Sequence, residues 1–192
     1  MKANLPALAL IFAAALWRIA IVHQPGLFNV APITALAFCG AAFWRDRRAW
    51  AIPFTALFLS DLWLNHYHAV EFGYTWSIGE MGLRAMAIAG ALLIGRMVAS
   101  RRNAVTLLAG TLGSSLLFYF VTNTAAWASD ACYPGTALGW WQAMTVGHPQ
   151  FPPTLWFFRN TLAGDLIFTG LFAGAVWSAR AIERRQAQSQ QA

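Results

Sequence analysis

Charge is what this chain has least of. Only 10% of its 192 residues are Asp, Glu, Lys or Arg, against 58% hydrophobic, whereas soluble domains are about a quarter charged. That shortage argues against an ordinary soluble fold. Cysteine is scarce too, with two in the chain, Cys39 and Cys132. They are not a disulfide framework: Cys39 lies about ten residues, roughly 15 Å, down an apolar segment, and Cys132 lies in a long loop. The sequence contains no Cys-x-x-Cys pair, no His-Glu-x-x-His, no phosphate loop and no Gly-x-Ser-x-Gly elbow. Those absences count against the common metalloprotease, ATPase and hydrolase chemistries. No internal repeat is visible, which counts against an inverted-repeat transporter core. Finally, the stretches 24–27, 68–76 and 128–157 contain no Lys or Arg at all.

Apolar runs fill the remainder. Segments 5–23, 28–44, 49–67, 77–97, 104–127 and 158–181 each approach the roughly 20 residues that cross about 30 Å of hydrocarbon as a helix. The third carries Pro53 near its first turn, a tolerated position. The expected fold is therefore an all-α integral membrane domain of six transmembrane helices over 1–185, followed by a polar tail, 186–192, outside the fold. Basic residues gather in the 45–48 turn, between Arg96 and Arg102, and in the tail from Arg180 to Arg185. By the positive-inside rule both termini are cytoplasmic, as in a multi-pass protein of the bacterial inner membrane. The net charge of +6 reflects this bias and is no nucleic-acid footprint. Lys2 precedes an apolar run, but that run is too long for a signal peptide and lacks a cleavage site. Trp44, Trp50 and Trp177 near the expected inner ends, with Trp63, Trp76, Trp127 and Trp156 near the outer ends, match two interfacial aromatic belts.

Polar residues inside the spans collect at one depth. Arg18 lies near the outer end of the first span, Asn29 and Thr34 open the second, and Ser60, Asp61 and Asn65 close the third. Glu80 and Arg84 open the fourth, Thr122 and Asn123 close the fifth, and Arg159, Asn160, Thr161 and Asp165 open the sixth. Ionisable groups at such depth usually face a bundle interior or a watery cavity. Glu80 and Arg84 share a helix face at i, i+4, as do Asp61 and Asn65. Arg84 can pair with Glu80 or Asp61, and Arg18 with Asp165. Each pair alone could be structural stitching between helices, but the whole set reads as an outward-facing ligand pocket.

Three other features accompany this layer. His23, His66 and His68 lie beside the outer loops, where they could ligate a metal or simply sit at ease in an interface. Residues 137–146 can form a short interfacial helix in which Trp140 and Trp141 offer flat faces over the pocket. The same segment could instead be a bare surface anchor. Small residues recur four apart, at Ala9 and Ala13, Ala37 and Ala41, Ala85 and Ala89, and Gly170 and Gly174, a spacing that lets helices approach closely in lipid.

Six short spans, an outward pocket and the Ala9-x-x-x-Ala13 face together resemble the substrate-binding S-components of energy-coupling-factor vitamin transporters. The segments Asn29-Val30-Ala31-Pro32-Ile33-Thr34-Ala35-Leu36-Ala37, Ser60-Asp61, Tyr133-Pro134-Gly135-Thr136 and Phe158-Arg159-Asn160-Thr161-Leu162-Ala163-Gly164-Asp165 resemble an uncharacterised family of small, S-component-like bacterial membrane proteins. The resemblance covers nearly the whole chain. It implies a binding and uptake subunit for a vitamin, metal or related micronutrient, with Ala9 and Ala13 docking a membrane coupling subunit that works with ATPases. No ATP site or cofactor is expected in this chain. The ligand would meet Arg18, Asn29, Asp61, Asn65, Glu80, Arg84, Asn123, Trp140, Trp141, Arg159, Asn160 and Asp165. Two other readings compete. One is a membrane enzyme on a lipid or envelope substrate, with Asp61, Glu80 and Asp165 as acid–base groups. The other is an assembly protein with no ligand.

Overall fold

The computed structural model describes residues 5–73 and 75–190, and is all-helical among them. Lys2 lies outside the described residues, as do the last two residues of the tail. Seven α-helices follow one another: α1 (Leu5–Ala20), α2 (Ile33–Phe43), α3 (Arg48–Phe72), α4 (Ile78–Val98), α5 (Ala104–Ser129), α6 (Ala137–Met144) and α7 (Thr154–Ser189). Short 3-10 turns at Ile21–His23 and Pro25–Leu27 lead from α1 toward α2. Three helices, α4, α5 and α7, are long and apolar enough to cross a membrane. In α3 the run Asp61, Asn65, His66 and His68 lowers the apolar content.

Several boundaries differ from expectation: α3 extends to Phe72 beyond the expected 67, and α7 begins at Thr154 before the expected 158. The segment 28–44 is helical only over Ile33–Phe43, 11 residues, or about 16 Å. Asn29 adopts a left-handed backbone (φ 65°), and Pro32 stands at the helix's N-terminal boundary, so the chain turns twice before the helix begins. At the other end of the chain, α7 runs on to Ser189. The expected unfolded tail is therefore helical that far, because Ala, Arg, Glu and Gln are strong helix formers even when solvated.

The short helix α2 is the core of the molecule. Every one of its 11 residues is buried, and α3, α4, α5 and α7 all pack on it. A buried helix must satisfy its orphan end groups from neighbours. At the C-terminal end, Arg96 Nη1 donates to the Trp44 carbonyl at 2.8 Å and to the Ala41 carbonyl at 3.4 Å. At the N-terminal end, Asp165 Oδ2 accepts from Ser115 Oγ at 2.7 Å, and the Ala35 amide acts on the same carboxyl group. Its Oδ1 nonetheless has no donor in full hydrogen-bond geometry. A cation at the C-terminus and an acid at the N-terminus both complement the helix dipole.

Close approach to α2 depends on small residues. A Cβ on Gly95 of α4 would sit 2.2 Å from the Phe38 carbonyl oxygen and 2.9 Å from Ala41 Cβ. Of the four alanine and glycine pairs, Ala37 and Ala41 are buried in this packing, whereas a Cβ at Gly170 or Gly174 would meet nothing within 4 Å. A larger side chain at either position would therefore meet no clash among the described residues. Ala13 is exposed between Phe12 and Leu16 on α1, while the Ala9 side chain lies outside the described residues.

Candidate functional site

The C-terminal ends of α1, α3 and α5 meet the N-terminal ends of α2, α4 and α7 at one end of the bundle. There they enclose a cavity of about 420 Å³, joined by a side chamber of about 190 Å³. Asn29, Phe118, Thr122, Phe151, Phe157 and Thr161 border both.

Charge enters the larger cavity through Arg18 and Arg84, with no Asp or Glu in the lining. Both guanidinium groups turn onto Asp61. Arg18 Nη2 lies 2.8 Å from Oδ1, and Arg84 Nη1 lies 3.8 Å from Oδ2. The Arg18 contact is an ion pair rather than a well-aligned hydrogen bond. Arg18 also donates to Ser60 Oγ and, at 3.4 Å, to the Leu57 carbonyl. Ser60 can accept because its own proton goes to the Ala56 carbonyl at 2.7 Å. Arg84 is sandwiched further: its guanidinium carbon lies 3.6 Å from the Trp76 ring centroid, a cation–π contact.

The remaining expected ligand residues divide by job. Asn29 lines both chambers and Asn123 lines the smaller one. Asn65 and Glu80 position the wall. Asn65 Oδ1 accepts from the Trp76 amide at 2.7 Å, and Glu80 closes a capping box with Ser77 that starts α4. Of the two partners expected for Arg84, Asp61 lies within ion-pair reach of it. Asn160 is buried and donates to the Gly26 and Phe28 carbonyls at 3.2 and 3.0 Å, so it fixes the segment that presents Asn29. Arg159 leans on Asn160 and the Trp156 ring, away from the lining. Asp165 sits at α2 rather than against Arg18, because the Arg18 side chain reaches α3 first.

The expected tryptophan lid also differs. Trp140 Nε1 donates to Thr124 Oγ1 at 3.1 Å, Trp141 faces outward, 61% exposed, and neither borders a chamber. The segment after α6 covers the site instead, through Phe151. Helix α6 is held by the Tyr119 hydroxyl, which donates to the Met144 carbonyl, and by Gly139, where a Cβ would lie 1.9 Å from the Pro134 carbonyl oxygen. Phe28, Phe118, Phe151 and Phe157 were not singled out from the sequence; in a membrane helix a Phe facing a cavity looks the same as one facing lipid.

The histidines do not assemble as a metal set. His23 packs edge-on against Tyr67, His66 is exposed, and His68 Nδ1 donates to the Leu64 carbonyl at 2.7 Å while its ring borders the cavity. Among the described residues, a different trio, Asp130, Cys132 and His148, brings potential ligand atoms within 4.8 Å. Its internal hydrogen bonds account for it without an ion. Asp130 Oδ1 accepts from the Cys132 amide at 2.8 Å, and His148 Nδ1 accepts from the Gln150 amide at 3.2 Å. A neutral ring then carries its proton on Nε2, facing Asp130 Oδ2 at 4.0 Å, where a metal would need a lone pair. Beside this trio, burial holds the Tyr133 hydroxyl above the ordinary phenol range, with Asp130 and Cys132 adding to the effect.

Three apolar helices of membrane-crossing length point to a helical membrane protein, with a cavity lined by two arginines at one end of its bundle. The chain belongs to a family of unknown function (DUF6580), whose model matches residues 1–189. No curated protein and no solved structure matches it.

Proposed function

We propose that this protein is a membrane-embedded binding and uptake subunit, S-component-like, that takes a small molecule such as a vitamin or related micronutrient from the outer face of the bacterial inner membrane. The observation that carries this reading is the cavity itself. It is about 420 Å³, within the roughly 300–1,000 Å³ of small-molecule sites, mostly apolar, with two arginines converging on it. The chain around it lacks Lys and Arg in 24–27, 68–76 and 128–157, so the cavity end faces outward and both termini lie inside. Six spans then follow if α2 and the irregular 28–32 segment cross together. Non-helical backbone is tolerated at that depth where protein buries it or a cavity borders it.

The enzyme alternative needs a carboxyl group free to move protons in the cavity. Asp61 is held by two arginines, Glu80 by the α4 cap, and Asp165 by Ser115.

The coupling partner is tested at α1. Changing both Ala9 and Ala13 to Leu would hold a partner helix away from that face. Uptake in cells is expected to fall, while the purified variant still retains its small molecule in native mass spectrometry. Unimpaired uptake would remove the coupling face, and an empty cavity in the parent protein purified from its own membrane would remove the binding role.

A further inference from the structure

We propose that the end of the bundle opposite the cavity holds an anionic phospholipid, its phosphate between Arg102 and Arg180 and an acyl chain lying along α7. The spans set the level. Helix α4 ends at Val98 and α5 begins at Ala104, and both are long and apolar enough to cross a membrane. The turn that carries Arg102 therefore lies at a membrane surface. Phe43, the last residue of α2, joins that turn to α7. The guanidinium carbons of Arg102 and Arg180 lie 5.8 and 5.9 Å from the centroid of its ring. Trp177 packs edge-on against the same ring, with centroids at 6.4 Å. Two cations and an indole thus gather around one aromatic floor.

The sign of the ligand follows from which charges are already matched. Segments 45–48, 96–102 and 180–185 carry nine arginines against two acids, Asp46 and Glu183. Asp46 is taken by Arg48 at 2.5 Å, and Arg96 donates to the Trp44 and Ala41 carbonyls. Arg102 engages the chain through Nε, which donates to the Ala99 carbonyl at 2.7 Å. Among the described residues neither Arg102 nor Arg180 has a carboxylate within 4.0 Å. A guanidinium binds phosphate through paired N–H donors and can rest on an aromatic ring at the same time. What lies beside the arginines makes that phosphate a lipid's. Gly170, Gly174 and Trp177 share one face of α7 at i, i+4 and i+7. A Cβ at either glycine would meet nothing within 4 Å, so the face is a shallow trough, with Ile167 and Leu171 exposed along its side. An acyl chain fits such a trough beneath a headgroup, as an acidic protein segment would not. Trp177 is exposed, and its indole N–H has no acceptor among the described residues. Those of Trp17, Trp127 and Trp140 donate to Val30, Pro134 and Thr124. At the boundary of headgroup and chain, the ester carbonyls of a lipid supply the missing acceptor.

The test uses the full chain in detergent, read by native mass spectrometry with dioleoyl phosphatidylglycerol and dioleoyl phosphatidylcholine at equal concentration. The two lipids share their chains and differ in net charge. Phosphatidylglycerol is expected to be retained roughly tenfold or more over phosphatidylcholine, the scale set by two arginines near a membrane surface. Replacing both, Arg102→Gln with Arg180→Gln, should remove that preference. Arg180→Gln alone, which breaks no hydrogen bond among the described residues, should cut it about fivefold. Arg101→Gln with Arg184→Gln removes the same charge from the same end of the bundle and should leave the preference standing. Gly174→Leu, which fills the trough, should weaken retention of both lipids. Equal retention of the two lipids by the parent overturns the site, as does a preference that survives in the Arg102 and Arg180 variant. Equal loss in the Arg101 and Arg184 variant would assign the preference to the diffuse charge of that end and overturn it too. Displacement of the lipid by glycerol 3-phosphate at the same concentration would make this a site for soluble phosphate. A protein held by the parent in place of the lipid, and lost from the Arg102 and Arg180 variant, would make it a protein interface. Either result overturns the lipid.

Discussion

Replacing Asp61 by Ala is expected to cost about 3–5 kcal/mol of stability, the range for removing one partner of a buried ion pair, read as a lowered unfolding midpoint in detergent. The Asp61 side chain is 3% exposed, against 13% for Arg18 and 18% for Arg84. Its loss takes from the Arg18 guanidinium the carboxylate 2.8 Å away and brings the Arg18 and Arg84 charges into direct repulsion. Water in the cavity offsets part of this, which places the cost toward the lower end. Arg84→Ala should be milder, because Arg18 still neutralises Asp61 at 2.8 Å. Asp61→Asn, which keeps shape and removes charge, should resemble Asp61→Ala. An Asp61→Ala protein as stable as its parent would mean that the polar layer is not what joins α1, α3 and α4.

Gly95→Ala is the second large effect expected. The added methyl would meet the Phe38 carbonyl oxygen at 2.2 Å. A backbone atom inside a fully buried helix cannot rotate out of the way, so α2 and α4 must separate. Overpacking a core typically costs about 1–3 kcal/mol, and a backbone clash belongs at or above the top of that range. Gly82, 13 residues nearer the cavity end of the same helix, is the control, since a Cβ there meets nothing within 4 Å. Gly82→Ala should stabilise the helix by roughly 0.5–1 kcal/mol. Thermal unfolding of both variants checks opposite signs on one helix, and equal shifts would contradict the packing of α4 on α2.

The helices were legible because a run of apolar residues near 20 long is a strong signal. The true length of α2 was not. Hydropathy reads 28–32 as apolar chain, and only the left-handed turn at Asn29 and the break at Pro32 stop the helix there. The polar layer was legible as a set, since residues at one depth in several helices are visible in one dimension. Its pairings were less so. Which partner Arg18 reaches depends on how α1 is rotated against α3 and α7, and no spacing within α1 encodes that. Glu80 illustrates the same limit: its i, i+4 spacing to Arg84 says nothing of the capping box that its carboxylate closes with Ser77. The short α6 was legible from its composition, but not the side on which its tryptophans would lie.

The claim that most depends on orientation is a cavity open to the outside of the membrane, and Cys132 reports on it directly. Cys39 is buried within α2 and stays silent in either orientation, whereas Cys132 is partly exposed in the segment after α5. Treating intact spheroplasts with a membrane-impermeant maleimide should label Cys132, with no further labelling of native protein after lysis. Labelling that appears only once the membrane is broken would place the cavity on the cytoplasmic side and contradict the account.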